Sequence, residues 1–349
     1  MNIVFRVDSS FDLGIGHVMR CITLADSLKK EGMDVRFICR KAKGDCIQLI
    51  KNNGFDVYEL KPVDNSILLY MKKGWKQDVK ETMEILNKFD VGILIIDHYA
   101  IDEKWEQEIR IYTNKIVVID DIADRSHVCD ILIDQNYYEN ASDRYTSNVS
   151  ERCELLLGPI YALLRPEFAS TRMKMKQRNG IVKSIMISFG GSDPSNETMK
   201  VLLAIQDQKQ FEVHVVVGQS NIFKEEIKKF CINYPHLHYY CQIDEMADLM
   251  SKCDLAIGAG GSTSWERCCL GLPSIIVSTA ENQVELAKNI AKVSVTHYLG
   301  DAQNIGITEW RDKILTVINS EAKLVEMSCS GMKLVDGLGA ERVVKAILQ

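Results

Sequence analysis

The run VGILIID at 91–97 carries no charged side chain until its final aspartate. An apolar run of that length has strand composition and suits burial on both faces, as in a parallel sheet covered by helices. The first half of the chain repeats this element: IVFRV (3–7), VRFIC (35–39), a strand near 56–60, KIVVID (115–120) and DILID (130–134). Helical segments fall between them. Val18, Cys21, Ala25 and Leu28 recur at helical spacing over 17–30, Gly32 supplies a left-handed stop, and a longer helix is predicted near 77–89. Strands alternating with helices imply right-handed crossovers and a parallel sheet.

From 169 to 180 the chain turns polar and basic, STRMKMKQRNG, without apolar periodicity. The alternation then restarts with strands at 183–189, 211–217, 237–241, 254–258 and 274–277. The fold class predicted is therefore α/β: two Rossmann-like domains with parallel sheets, over 1–168 and 181–349, joined by a 169–180 linker. In such a pair the ligand is expected at the carboxyl ends of the strands, in a cleft between the domains.

Composition bounds the partners. A chain of 349 residues is long enough for two cores, and a net charge of -6 argues against a broad nucleic-acid surface. No apolar run approaches the roughly 20 residues of a membrane span. The 11 cysteines are scattered without a CxxC pair, and the N-terminus reads as a strand and not as a signal peptide. A reducing cytoplasmic setting with structural thiols is the expectation. No ligand cluster has metal spacing and no cofactor is predicted; oligomeric state is left open.

Three glycine-rich turns carry the chemistry. In DSSFDLGIGHVMR (8–20), Gly14 and Gly16 let the chain turn from a strand into a helix that starts with His17. The third glycine of a dinucleotide fingerprint is replaced by Met19. A lone histidine there would cap the helix; beside two glycines after the first parallel strand it is read as a general base. ISFGGSDPSNET (187–198) places Gly190 and Gly191 at another strand-to-helix turn, with Ser195 or Asn196 as the plainer N-cap reading. AIGAGGSTSWERCCLGLPSIIV (256–277) is the most informative. Gly258, Gly260, Gly261, Ser262 and Thr263 offer amides and hydroxyls for a diphosphate, and Glu266, one turn on, suits ribose hydroxyls.

Weaker signals surround these. Asp97, His98 and Tyr99 end the 91–97 strand, and Asp120 and Asp121 end another, where paired acids cap a segment more often than they hold magnesium. His236 and His238 alternate along a strand without a third ligand. Glu281, Asn282 and Gln283 open a helix over 281–293 and present polar groups suited to a sugar.

FRVDSSFDLGIGHVMRC, LIIDHYAID, VVIDDIADRSHVCDILIDQN, LLLGPIYALLRPEF, SFGGSDP and GAGGSTSWERCCLGLP together resemble the UDP-sugar hydrolase family of pseudaminic-acid biosynthesis, the PseG family. The resemblance runs from residue 3 to about 283 and returns at DGLGAERV (336–343). It implies a GT-B-like architecture and hydrolysis of UDP-2,4-diacetamido-2,4,6-trideoxy-β-L-altropyranose to UDP and the free sugar, by anomeric C–O cleavage with inversion. It further implies His17 as base, UDP held by Ser262, Thr263 and Glu266, and Arg20, Tyr99 and Arg165 on the substrate. Three rival readings share these residues: a GT-B UDP-sugar glycosyltransferase, a noncatalytic nucleotide-sugar-binding protein, and a hydrolysing epimerase.

Overall fold

A computed structural model describes every residue except Asp12, which belongs to the 8–20 motif, and Asn65. Two compact units emerge: Met1–Leu163 with Gly339–Gln349, and Leu164–Leu338.

The first unit runs β1 (Asn2–Val7), α1 (Gly16–Lys30), β2 (Asp34–Arg40), α2 (Ile47–Asn52), β3 (Asp56–Leu60), α3 (Ile67–Leu86), β4 (Val91–Asp97), α4 (Glu103–Ile109), β5 (Lys115–Ile119), β6 (Ile131–Asp134) and β7 (Glu154–Leu157). All seven strands are parallel, in the order β3-β2-β1-β4-β5-β6-β7. Every residue of β4 is buried, because helices cover both faces of the sheet. Phe5, Phe37, Ile95 and Val117 join one apolar layer with α1; Val4, Leu94, Ile96 and Val118 join the other with α3 and α4.

The second unit runs α5 (Pro166–Arg172), β8 (Ser184–Ser188), α6 (Glu197–Ile205), β9 (Glu212–Val217), α7 (Lys224–Ile232), β10 (Leu237–Cys241), α8 (Met246–Lys252), β11 (Leu255–Ala259), α9 (Thr263–Cys269), β12 (Ser274–Ser278), α10 (Asn282–Lys292), β13 (His297–Asp301), α11 (Ile307–Ile318) and α12 (Glu321–Leu334). Its six strands are parallel in the order β10-β9-β8-β11-β12-β13. Each unit is a Rossmann-like sheet whose strand order reverses once. The reversal falls between β1 and β4 in the first and between β8 and β11 in the second.

Four features differ from the sequence expectation. The terminal helix α13 (Gly339–Leu348) belongs to the first unit, not the second. Its Ala340, Val343, Val344 and Ile347 complete the layer containing Val18 and Leu28, and Gly339 lies so close to Ala162 that a Cβ would sit 2.3 Å from its carbonyl oxygen. The 169–180 stretch is partly helical, with α5 running to Arg172, whose guanidinium bonds the carbonyls of Cys269 and Met332. Helix α3 begins ten residues before the predicted 77, continuing through Gly74 because Ile67 and Met71 share the buried face with Val79 and Leu86. The short edge strands β7 and β13 carry only partly buried patterns, so they lacked the apolar run that marked the others. All eleven cysteines are free, although the sulfurs of Cys129 and Cys153 stand 3.5 Å apart.

Candidate functional site

The reversal of strand order opens a crevice at the carboxyl ends of two neighbouring strands, because their following connections leave in opposite directions. In the first unit those strands are β1 and β4. After β1, the amide of Gly14 bonds the Ser10 carbonyl at 2.9 Å and the Leu13 amide bonds Ser10 Oγ, closing a tight loop. Gly14 adopts φ 73°, so a side chain there would be strained; Gly16 simply opens α1. The loop delivers His17 and Arg20 on the first turn of α1, facing the end of β4.

Asp97 receives both. Its Oδ1 lies 2.5 Å from His17 Nδ1, while Arg20 donates from Nε to Oδ2 at 2.6 Å and from Nη2 to Oδ1 at 2.7 Å. Burial works against ionisation of Asp97, but the Arg20 charge and the hydrogen bonds from Arg20 and His17 outweigh it and hold the carboxyl well below its usual range. A carboxylate only accepts, so His17 Nδ1 carries the ring proton and the neutral tautomer leaves its lone pair on Nε2. The Tyr99 ring packs edge-on against the imidazole, centroids 4.3 Å apart. Burial and the neighbouring Asp121 carboxylate raise the Tyr99 phenol well above its ordinary value, so it stays protonated.

The paired acids after β5 have separate partners. Asp121 Oδ2 accepts from Arg20 Nη1 at 2.8 Å, extending the cluster, whereas Asp120 Oδ2 accepts from the Ala123 amide and the Tyr145 hydroxyl. His98 takes no part in the His17 cluster: its Nδ1 accepts from the Ala100 amide, and its Nε2 lies 3.2 Å from Asp8. The first unit therefore assembles His17, Arg20, Asp97, Tyr99 and Asp121. Sequence reading put Asp97 and Asp121 at strand ends but gave no sign of their partners, since no local pattern links residues 80 or 101 positions apart.

In the second unit the reversal sets the 189–196 loop beside the 260–262 turn. The backbones approach closely: a Cβ on Gly258 would sit 2.0 Å from the Ser188 oxygen, and one on Gly218 2.3 Å from the Gly191 oxygen. Gly190 turns the chain with φ 88°. The cap of α6 is Asp193, which accepts the amides of Glu197 and Thr198 at 2.9 and 3.0 Å; neither Ser195 nor Asn196 caps it through its side chain. Asp193 reaches farther because the chain between makes a left-handed bend at Asn196.

The glycine-rich turn brings Gly260, Gly261, Ser262 and Thr263 together at the start of α9, where helical amides run out of intrahelical acceptors. Gln283, from α10, leans over this turn, its Nε2 3.6 Å from where a Gly261 Cβ would be, while its Oε1 accepts from the Thr279 amide. Glu266, one turn along, is pushed up to about 7 by burial, against the pull of Arg165 and Arg267. Arg165 thus belongs to the second unit and not to the expected 1–168 domain, and its charge acts on Glu266. Its own contacts are Glu167 and the Asp244 carbonyl.

Among the described residues no group of three or more His, Cys, Asp or Glu side chains is placed to hold a metal ion. The three histidines around β9 and β10 are a local cross-strand arrangement, His214 stacked on His238 and His238 paired with Glu212, with His236 buried nearby. No helix among the described residues is long and apolar enough to cross a membrane.

Residues 185–336 match the model of the glycosyltransferase family 28 C-terminal domain. An uncharacterised protein of Methanocaldococcus jannaschii is 31% identical over 305 residues, covering 85% of this chain; the chain spans 60% of that relative's length. The UDP-2,4-diacetamido-2,4,6-trideoxy-beta-L-altropyranose hydrolase of Campylobacter jejuni is 28% identical over 293 residues, covering 84% of this chain and 97% of the relative. Among solved structures, Acinetobacter baumannii MurG has a TM-score of 0.65 at 15% identity, covering 99% of both chains. The glycotransferase of kitacinnamycin has a TM-score of 0.70 at 12% identity, covering 99% of this chain and 98% of its own. The chain has a GT-B-like fold of two parallel-sheet, Rossmann-like domains.

Proposed function

We propose that this chain is a GT-B-type enzyme that processes a UDP-linked sugar, with His17 as the base on an acceptor hydroxyl. The observation that carries the reading is the buried His17–Asp97–Arg20 arrangement at the strand reversal of the first unit. The proton on Nδ1 is fixed by an ionised Asp97, Nε2 is the acceptor for a proton, and the imidazolium that forms is stabilised by the same carboxylate. The second unit supplies the nucleotide side: glycine-turn amides with Ser262 and Thr263 for the diphosphate, Glu266 for the ribose and Gln283 for the sugar. The acceptor oxygen attacks the anomeric carbon, its proton passes to His17, and the bond from that carbon to the diphosphate oxygen breaks, releasing UDP. Direct displacement inverts the anomeric centre.

Transfer to an acceptor hydroxyl is the outcome with the wider support: the family 28 match and the likeness to glycosyltransferase structures both favour it. Hydrolysis is the second reading, supported by a relative named as a UDP-sugar hydrolase that the chain covers over 97% of its length. Its proposed substrate is UDP-2,4-diacetamido-2,4,6-trideoxy-β-L-altropyranose. The two part on one experiment. The protein is incubated with a panel of UDP-sugars in ¹⁸O-water, with and without hydroxyl acceptors, and the products are identified by NMR and mass spectrometry. Release of UDP only with acceptor supports transfer; release without it, with ¹⁸O in the sugar, supports hydrolysis. Label in UDP overturns attack at carbon, and UDP binding without turnover of any sugar overturns both.

A further inference from the structure

Four arginines among the described residues are buried almost completely: Arg6, Arg20, Arg40 and Arg267, at 0, 8, 1 and 3% exposure. The first three are each paired with carboxylates. Arg6 meets Asp8 and Asp78, Arg20 meets Asp97 and Asp121, and Arg40 meets Asp78 and Glu81. Arg267 has no carboxylate at ion-pair distance among the described residues. Its Nη2 donates to the Ala259 carbonyl and to Ser264 Oγ, both at 2.9 Å, and its buried Nε has no partner. Its Nη1 lies 3.2 Å from where a Gly258 Cβ would be, and the side chain lines a small, mainly apolar cavity with Met186, Met250 and Ile257, where Ser188 and Thr263 are the other polar residues.

A buried charge without a counter-charge is costly, and a fold keeps one where a ligand supplies the missing sign. The guanidinium lies against the turn that runs from Ala259 to Thr263, bonded to Ala259 at its start and to Ser264 just past its end. We infer that Arg267 is the buried counter-charge for a diphosphate held on the glycine-rich turn, and that it positions that turn through Ala259 and Ser264. The inference rests on the nucleotide reading above. Glu266, its sequence neighbour, makes no ion pair with it at salt-bridge distance, although its carboxyl, raised to about 7 by burial, acts on the guanidinium through space. Burial also brings the Arg267 guanidinium down to about 10, so it remains a cation at neutral pH. Arg267 is thus a positioning residue whose charge acts on the leaving group without serving as acid or base.

The test compares Arg267→Met, which keeps the bulk and removes the charge, with Arg267→Lys, which keeps the charge and loses the fork. Binding of UDP and of uridine is measured by calorimetry on wild type and both variants, with thermal unfolding of each recorded without ligand. The expected result is that Arg267→Met weakens UDP roughly tenfold or more while uridine binding is unchanged, and that Arg267→Lys largely restores UDP binding. Unfolding without ligand should not fall with the loss of charge as it would for a paired arginine. Equal losses of UDP and uridine, or equal losses in the Met and Lys variants, would assign Arg267 a structural role and overturn the inference. Undiminished UDP binding by Arg267→Met would overturn it and leave the nucleotide reading intact. Absence of UDP binding by the wild type would remove both.

Discussion

The Asp97 carboxylate accepts from His17 Nδ1 at 2.5 Å and is itself clamped by Arg20, so buried hydrogen bonds fix the base and the group that orients it relative to one another. His17→Ala should therefore lower turnover roughly 10²–10⁴-fold, the usual size of general-base catalysis, while UDP still binds. Asp97→Asn should lose activity for the same reason and also about 3–5 kcal/mol of stability, because Arg20 is left short of its buried partner. Steady-state kinetics, calorimetry and urea unfolding separate the three quantities. A His17→Ala enzyme with full turnover would remove His17 from the chemistry.

Glu266 links nucleotide binding to pH. Burial raises its carboxyl from 4.5 to about 7, so its stabilising contribution is whole below about 4.5 and is lost as pH rises through about 7. Ribose hydroxyls are bound best by the ionised form, so UDP affinity should rise over the same interval in which apo stability falls. Asp134, raised by burial from 3.8 to about 7, titrates in this window too, so the informative quantity is the difference between wild type and Glu266→Gln. Glu266→Ala should weaken UDP and uridine alike by about 1.5–3 kcal/mol, the range of a charge-assisted hydrogen bond. A pH profile of unfolding unchanged by Glu266→Gln would contradict this account.

Activity should persist in EDTA. Asp120 and Asp121 are drawn apart, one to the Ala123 amide and Tyr145 and the other to Arg20, so the pair is not arranged to share a cation. Loss of turnover in EDTA with recovery on added magnesium would redirect attention to those two acids.

Gly258→Ala tests the close approach of β8 and β11. The added methyl would sit 2.0 Å from the Ser188 carbonyl oxygen, so the strands must separate. Overpacking of this kind costs about 1–3 kcal/mol or more, and the turn that follows should shift with it. Reduced thermal stability together with weaker UDP binding is expected; a variant indistinguishable from wild type would show that the turn tolerates displacement.

The sequence by itself determined the elements and their class. Runs such as 91–97 and the spacing of Val18, Cys21, Ala25 and Leu28 encode burial locally, and burial on both faces of successive strands leaves little but a parallel α/β sheet. It also marked the glycine turns, because Gly14 and Gly190 answer to backbone geometry within a few residues. The tertiary structure alone decided what each polar group faces. Asp97 orients His17 across 80 positions of chain, and Asp193 displaces the nearer candidates as the cap of α6. Arg165 acts on Glu266 in the second unit, and α13 returns to the first. The physical reason is the same throughout: periodicity tells which side of an element seeks the interior, but an ion pair or a docking helix depends on which distant surface the topology brings against it. Arg267 shows the limit most clearly, since nothing in its sequence neighbourhood distinguishes a guanidinium buried without a carboxylate from the three that have one.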